Sequence, residues 1–92
     1  MKRLQWDDRA LADLEDIATY LAADSPNAAR RVVGDIRAVA LLLETSPLFG
    51  RKTSKPLVRK LVLFRRPYIL TYAVEGDEVR ILSVIHQRRN RH

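Results

Sequence analysis

The spacing of apolar residues changes once along this chain, and that change limits the folds available to it. In the first half, apolar residues recur at steps of three and four, which is the repeat of one face of a helix. A loop at residues 48–56, punctuated by proline and glycine, follows. After the loop, the repeat changes to two residues, as in a strand, beginning with residues 57–64. The pattern therefore predicts an α+β domain with its helices before most of its strands.

Two helices and four strands are predicted within this pattern. The helices cover about residues 8–22, with Asp7 or Asp8 as N-cap, and Pro26 to about Thr45, with Ser25 as N-cap. The strands cover residues 2–6, 57–64, 68–74 and 79–86. The order β-α-α-β-β-β predicts a helical hairpin packed on a small antiparallel sheet.

Length and composition exclude several classes of protein. A chain of 92 residues supports one domain with one core, which we expect to cover residues 1–92. It contains no cysteine, and His86 and His92 do not have the spacing of metal ligands, so no metal or cofactor is expected. No apolar stretch approaches the roughly 20 residues of a membrane span, and the first residues lack a signal-peptide segment. We therefore expect a cytoplasmic protein that does not bind membranes.

Charge is distributed unevenly between the two halves of the chain. Residues 1–48 carry six basic and eight acidic side chains, whereas residues 49–92 carry eleven basic and three acidic ones. The net charge of +6 therefore comes from the strand-rich half. A cationic surface of this kind attracts nucleic acids or acidic proteins and speeds their approach.

Several strings of residues, taken in order, resemble one family. They are W-D-D-R-A-L-A-D-L-E-D-I-A-T-Y-L-A at 6–22, S-P-N-A-A at 25–29, P-L-F-G-R at 47–51, V-R-K-L-V at 58–62, P-Y-I-L-T-Y at 67–72 and V-R-I-L-S-V-I-H at 79–86. Their order and spacing resemble the RelE/ParE superfamily of bacterial toxins, which are the toxin halves of type II toxin–antitoxin pairs. The resemblance spans almost the whole chain and implies a toxin that stops growth unless an antitoxin neutralises it.

The superfamily has two branches with different targets. RelE-like members cut mRNA on the ribosome, with an arginine directly after the tyrosine of the third strand and a catalytic tyrosine in the C-terminal segment. Here Tyr68 is followed by Ile69, and no tyrosine follows Tyr72. ParE-like members inhibit DNA gyrase, and the resemblance favours this branch, as a toxin that binds gyrase without catalysing a reaction.

The cations of the strand-rich half are the predicted target contacts. They are Lys60, Arg65, Arg66, His86, Arg88 and Arg89. Under the alternative of a ribosome-dependent mRNA endonuclease, Arg65, Arg66, His86 and Arg89 would stabilise phosphate charge and transfer protons. A structural interpretation of His86, in which its ring nitrogens hold the tail, is also open, as is an inactive interaction module with the same fold.

The resemblance also implies a ParD-like antitoxin with an acidic C-terminal segment that folds onto the toxin. We expect its helix to lie on the apolar side of the helical hairpin and an extended part to pair with a sheet edge. The predicted contacts are Leu14, Ile17, Leu21, Val33, Ile36 and Arg59. We also expect Arg59 to pair with an acid or a carbonyl, because an unpaired buried charge is costly. The candidate acids are Asp13, Asp16 and Glu44.

Overall fold

The computed structural model of the chain describes residues 1–90 and shows two helices packed on a five-stranded sheet. The elements are β1 (Arg3–Trp6), α1 (Asp8–Ala22), α2 (Pro26–Leu42), β2 (Arg51–Lys52), β3 (Val58–Val62), β4 (Tyr68–Glu75), β5 (Glu78–His86) and a short 3-10 helix (Gln87–Asn90). The predicted α+β fold and helical hairpin are confirmed. The expectations for His92 lie outside the described residues.

Both helices begin at the predicted caps, but the caps work differently. The Ser25 hydroxyl accepts a hydrogen bond from the Ala28 N–H at 3.1 Å, and Pro26 occupies the first helical position. Asp7 precedes α1 without a side-chain cap, because its carboxylate instead accepts from Arg80 of β5 at 3.0 Å. Helix α2 ends at Leu42, slightly before the predicted end near Thr45.

The sheet has the strand order β1-β5-β4-β3-β2 and is mixed. Strands β3, β4 and β5 pair antiparallel, as predicted, and the unpredicted strand β2 pairs antiparallel with β3. The expectation of a wholly antiparallel sheet is wrong for β1, which runs parallel to β5. Parallel neighbours need a long connection, and the whole chain between β1 and β5 supplies it. Strand β2 lies inside the segment predicted as a loop, residues 48–56. It was not predicted, because two residues are too few to show a strand pattern in the sequence.

The core lies between the helices and one face of the sheet. Its fully buried large side chains are Tyr72, Ile36, Leu43, Leu70, Ile81 and Val79. Leu14 and Ile36, two of the predicted antitoxin contacts, belong to this core, with only 4% and 0% of their surface accessible. The helical repeat identifies an apolar face, but it does not separate the residues that the sheet covers from those at the margin.

Two acidic side chains close the edge of the sheet on the β1 side. In the pairing of β4 with β5, Leu82 has no partner residue, which makes a β-bulge in β5. Two residues after this bulge, the Asp13 carboxylate of α1 accepts the Val84 N–H at 2.9 Å. Along β1, the Glu44 carboxylate accepts the Leu4 N–H at 3.3 Å. Edge amides that would otherwise face water are therefore satisfied from the helical half of the chain.

We predict that Asp13→Ala destabilises the fold by about 1–3 kcal/mol, because it leaves the Val84 N–H without its acceptor. Urea denaturation would measure the loss. Asp16→Ala is the matched control, since Asp16 is an exposed acid on the same helix, and its effect is expected within about 0.5 kcal/mol. Equal effects of the two substitutions would contradict a role for Asp13 at the sheet edge.

Candidate functional site

Five of the six predicted target contacts meet at one end of the sheet. The turn between β3 and β4 closes through the Leu63 N–H and the Tyr68 oxygen at 3.0 Å. The Gln87 N–H then donates to the Pro67 oxygen at 2.7 Å, which joins the 3-10 helix to this turn. We call this end the tip surface. It consists of Phe64, Arg65, Arg66, His86, Arg88 and Arg89.

Phe64 and Arg65 form the exposed part of the turn. The Phe64 side chain is 83% exposed, and the Arg65 guanidinium lies 5.1 Å from the centre of its ring. Arg65 has φ 62°, a left-handed conformation that residues other than glycine rarely adopt. Sequence reasoning did not select Phe64. A phenylalanine directly before the R-R-P turn, beyond the last residue of β3, was the available signal.

Arg66 is tied to the helices. Its guanidinium makes an ion pair with Asp35 of α2, at 2.9 Å from Nη2 and 3.0 Å from Nε to the same carboxylate oxygen. This pair is partly shielded from solvent and joins the turn to the middle of α2. Arg66 therefore positions the turn, whereas Arg65, Arg88 and Arg89 are exposed.

His86 is half-buried and held on two sides. Its ring lies edge-on to Tyr68, with the centroids 5.5 Å apart, and its Nδ1 accepts the Arg88 N–H at 3.1 Å. In a neutral imidazole one nitrogen carries the proton and the other accepts. Because Nδ1 accepts here, the proton of the neutral ring lies on Nε2. In this state Nε2 is a hydrogen-bond donor rather than a base.

Two tyrosines of β4 stay protonated at neutral pH. Burial raises the pKa of Tyr68 above its ordinary value, nearby Tyr20 adds to the rise, and Arg66 opposes it. Burial also raises the pKa of Tyr72, against the lowering effect of its hydrogen bond with Gly50 and of Arg59. Neither phenol is therefore ionised near pH 7, where a general base would have to act.

Lys60 and Arg59 lie away from the tip surface, on opposite faces of β3. Lys60 lies opposite Thr71 and Arg51, three residues before the turn begins. Arg59 donates to the Gly50 oxygen at 2.7 Å and to the Leu48 oxygen at 3.4 Å. Its partners are thus carbonyls. Of the three candidate acids, Asp13 and Glu44 accept backbone amides of Val84 and Leu4 instead.

The loop from Pro47 to Gly50 is fixed by a buried hydroxyl. The Tyr72 hydroxyl donates to the Pro47 oxygen at 2.8 Å and accepts the Gly50 N–H at 2.7 Å. A Cβ at Gly50 would lie 2.7 Å from that hydroxyl and 2.8 Å from the Lys60 oxygen, so only glycine fits. We call these two hydrogen bonds the Tyr72 bridge, and they hold the loop against β3 and β4.

Three predicted antitoxin contacts lie at the margin of the core. Ile17, Leu21 and Val33 pack against it and keep part of their surface accessible. Tyr20, on the same helix as Ile17 and Leu21, is 78% exposed. A partly exposed apolar strip therefore follows the helical hairpin.

Two kinds of function find no support in the described part of the chain. Within residues 1–90, no group of three or more metal-binding side chains is arranged to hold an ion. Neither α1 nor α2 is long and apolar enough to cross a bilayer.

Comparison with known proteins identifies the family. The profile of the ParE toxin of type II toxin–antitoxin systems, parDE, matches residues 4–91. The chain belongs to the ParE toxin family. Y4kP of Sinorhizobium fredii is 41% identical over 85 residues, which cover 92% of this chain and 88% of that protein. Toxin RelE2 of Caulobacter vibrioides is 36% identical over 89 residues, covering 97% and 99%.

A solved structure extends the likeness to three dimensions. A chain of the chromosomal ParDE toxin–antitoxin system from P. aeruginosa superposes with a TM-score of 0.81 at 32% identity, covering 94% of this chain and 96% of that one. This ParE-family protein is therefore the toxin of a type II toxin–antitoxin system, and a cognate antitoxin is its partner. The predicted membership of the RelE/ParE superfamily is confirmed.

The Tyr72 bridge predicts opposite effects of two glycine substitutions. Gly50→Ala should destabilise the fold by about 2 kcal/mol or more, because the added methyl group meets backbone. Gly34→Ala is the control, since nothing lies within 4 Å of its added Cβ in helix α2, and it should stabilise by about 1 kcal/mol. Thermal unfolding would measure both. Effects of the same sign would contradict the close approach at Gly50.

The raised tyrosine pKa values predict a loss of stability in alkali. The folded protein holds the phenolic protons of Tyr68 and Tyr72 more tightly than the unfolded chain, whose tyrosines titrate near 10.0. Their contribution is therefore complete below about pH 10 and is lost as the pH rises through the native pKa values. Urea denaturation between pH 8 and about pH 11 should show this fall. It should be shallower in Tyr72→Phe, and an unchanged slope would contradict the assignment.

Proposed function

We propose that this toxin binds DNA gyrase through its tip surface and inhibits it without catalysing a reaction. The observation that carries the proposal is the way His86 is engaged at the tip surface. Its Nδ1 accepts the Arg88 N–H at 3.1 Å and its ring lies edge-on to Tyr68, so this side chain holds the 3-10 helix in place.

The rest of the tip surface suits binding better than catalysis. Phosphate cleavage needs a base and an acid beside grouped cations. Arg66 is already paired with Asp35, and the raised pKa of Tyr68 keeps its phenol protonated near pH 7, so Tyr68 does not supply a base. Phe64 and Arg65 instead offer an exposed apolar side chain beside a cation, a combination enriched among residues that dominate protein interfaces.

The antitoxin is proposed to cover the apolar strip of the helical hairpin. Ile17, Leu21 and Val33 provide accessible apolar surface there, and an amphipathic helix is the partner that such a strip accommodates. Arg59 is engaged with carbonyls below the loop and supports the loop rather than the strip. A cytoplasmic location follows from this proposal, because gyrase acts on DNA in the bacterial cytoplasm.

A supercoiling assay tests the gyrase proposal. The purified toxin should inhibit gyrase at concentrations that match its effect on growth. Arg65→Glu should weaken inhibition at least tenfold, because a cation at the contact becomes an anion. Arg3→Glu is the matched control, since Arg3 is an exposed arginine opposite Glu78 at the other end of β5, and it should inhibit like the wild type.

Several results would contradict this proposal. Unaffected supercoiling at growth-inhibiting concentrations would exclude gyrase as the target. Equal inhibition by Arg65→Glu would remove the tip surface from the contact. Growth unaffected by expression without the antitoxin would indicate an inactive module with the toxin fold.

An mRNA endonuclease is the second candidate function. It is favoured by the meeting of Arg65, Arg66, His86 and Arg89 at one end of the sheet, and by a 36% identical relative named toxin RelE2. This alternative requires that His86→Ala abolish both growth arrest and transcript cleavage. Intact mRNA after induction of the wild-type toxin would exclude it, and fragmented mRNA with normal supercoiling would replace the gyrase proposal.

A further inference from the structure

A pocket lies at the end of the sheet opposite the tip surface. It forms between the start of β3, the end of β4 and the loop that carries β2, and has a volume of about 380 Å³. We call it the loop pocket. Its lining includes Leu48, Lys52, Lys55, Leu57, Arg59 and Val74. Its lining is mainly aliphatic, with cations at the rim.

The charged residues that line the loop pocket, Lys52, Lys55 and Arg59, are all basic. Residues 45–74 contain seven basic side chains and no acidic one. Lys52 and Lys55 are exposed at the pocket, while Arg59 is half-buried below it. A segment that enters this pocket therefore meets a positive potential, which selects an acidic partner.

Leu57 is exposed and strained. It has φ 69°, and 58% of its surface is accessible. Its conformation is held by neighbours, because its carbonyl accepts the Val74 N–H at 2.9 Å and the Thr53 hydroxyl braces the loop by accepting the Lys55 N–H at 3.2 Å. An apolar side chain gains little from this position in the free protein. Strained residues of this kind cluster at functional sites.

The opposite wall of the pocket is rigid. Leu48 is 65% exposed, yet the backbone on both sides of it is fixed by the Tyr72 bridge to Pro47 and Gly50. Arg59 adds a hydrogen bond to the Leu48 oxygen. A preformed apolar wall lowers the cost of binding, because little further ordering is needed.

We propose that the loop pocket binds an acidic, extended stretch of the antitoxin, with an apolar side chain between Leu48 and Leu57 and carboxylates at Lys52 and Lys55. This inference rests on the antitoxin partnership and is independent of the gyrase target. It adds a second docking site to the strip of the helical hairpin. The lining has no aromatic side chain, whereas sites for single-stranded nucleic acid use aromatic rings as stacking surfaces.

Charge reversal at the rim tests the electrostatic half of the proposal. Affinity for the cognate antitoxin would be measured by calorimetry on full-length proteins. Lys52→Glu with Lys55→Glu should weaken binding at least tenfold and reduce its dependence on salt. The matched control is Arg3→Glu with Arg9→Glu, which makes the same change of charge at exposed positions of β1 and α1 that line neither the loop pocket nor the strip of the helical hairpin. Its loss of affinity should be threefold or less.

Leu57→Gly tests the apolar half and separates binding from folding. Glycine adopts a positive φ freely, so the melting temperature of the free toxin should stay equal or rise. The same change removes an apolar wall of the pocket, so antitoxin affinity should fall at least fivefold. A purely structural role for Leu57 would move stability and affinity in the same direction.

Three results would overturn the proposal. Unchanged affinity in both pocket variants would show that the antitoxin lies elsewhere, while leaving the toxin–antitoxin pairing intact. An equal loss in the control with Arg3→Glu and Arg9→Glu would assign the effect to overall charge. Loss of polyuridine binding in the rim variant with an unchanged antitoxin complex would identify RNA as the occupant. The absence of any complex with the wild-type toxin would overturn the pairing together with the pocket.

Discussion

The hydroxyl of Tyr72 is the contact on which the two halves of this protein depend. It lies in the fully buried part of β4, yet it bonds the Pro47 oxygen and the Gly50 N–H, at the point where the helical half passes into the sheet. Without it, the buried Gly50 N–H and the partly buried Pro47 oxygen lose their partner. Strand β2 follows directly after Gly50 and pairs through only two residues, so its place beside β3 depends on this bridge.

Much of the fold could be predicted because local sequence patterns specify its helices and most of its strands. The helical repeat and the Ser25 cap predicted the helical hairpin, a repeat of two predicted β3, and β-rich apolar runs predicted β4 and β5. The parallel pairing of β1 could not be predicted, because its partner lies more than 70 residues away and no local signal states direction. Leu14 and Ile36 show the same limit, since burial depends on what the sheet covers.

The positive charge of the candidate site could be predicted from the sequence, but the contacts among its side chains could not. Composition placed the cations in the strand-rich half, and the turn and last strand brought five of the target residues together. The pairing of Arg66 with Asp35 crosses 31 positions, and the bonds of Arg59 run to backbone, so neither is visible in side-chain spacing. Phe64 was missed for a related reason, because exposure is a property of the folded surface.

The closed border along β1 has a consequence for how copies of this protein meet. Glu44 and Asp13 occupy amides of β1 and β5 on that side, whereas the other border ends in the exposed, positively charged pair Arg51 and Lys52. End-to-end growth of a sheet into a filament requires two receptive borders. The first border is already partly occupied, and the positive charge of the second repels another copy. A basic protein whose described residues include ten exposed large apolar side chains therefore has a barrier to fibre formation.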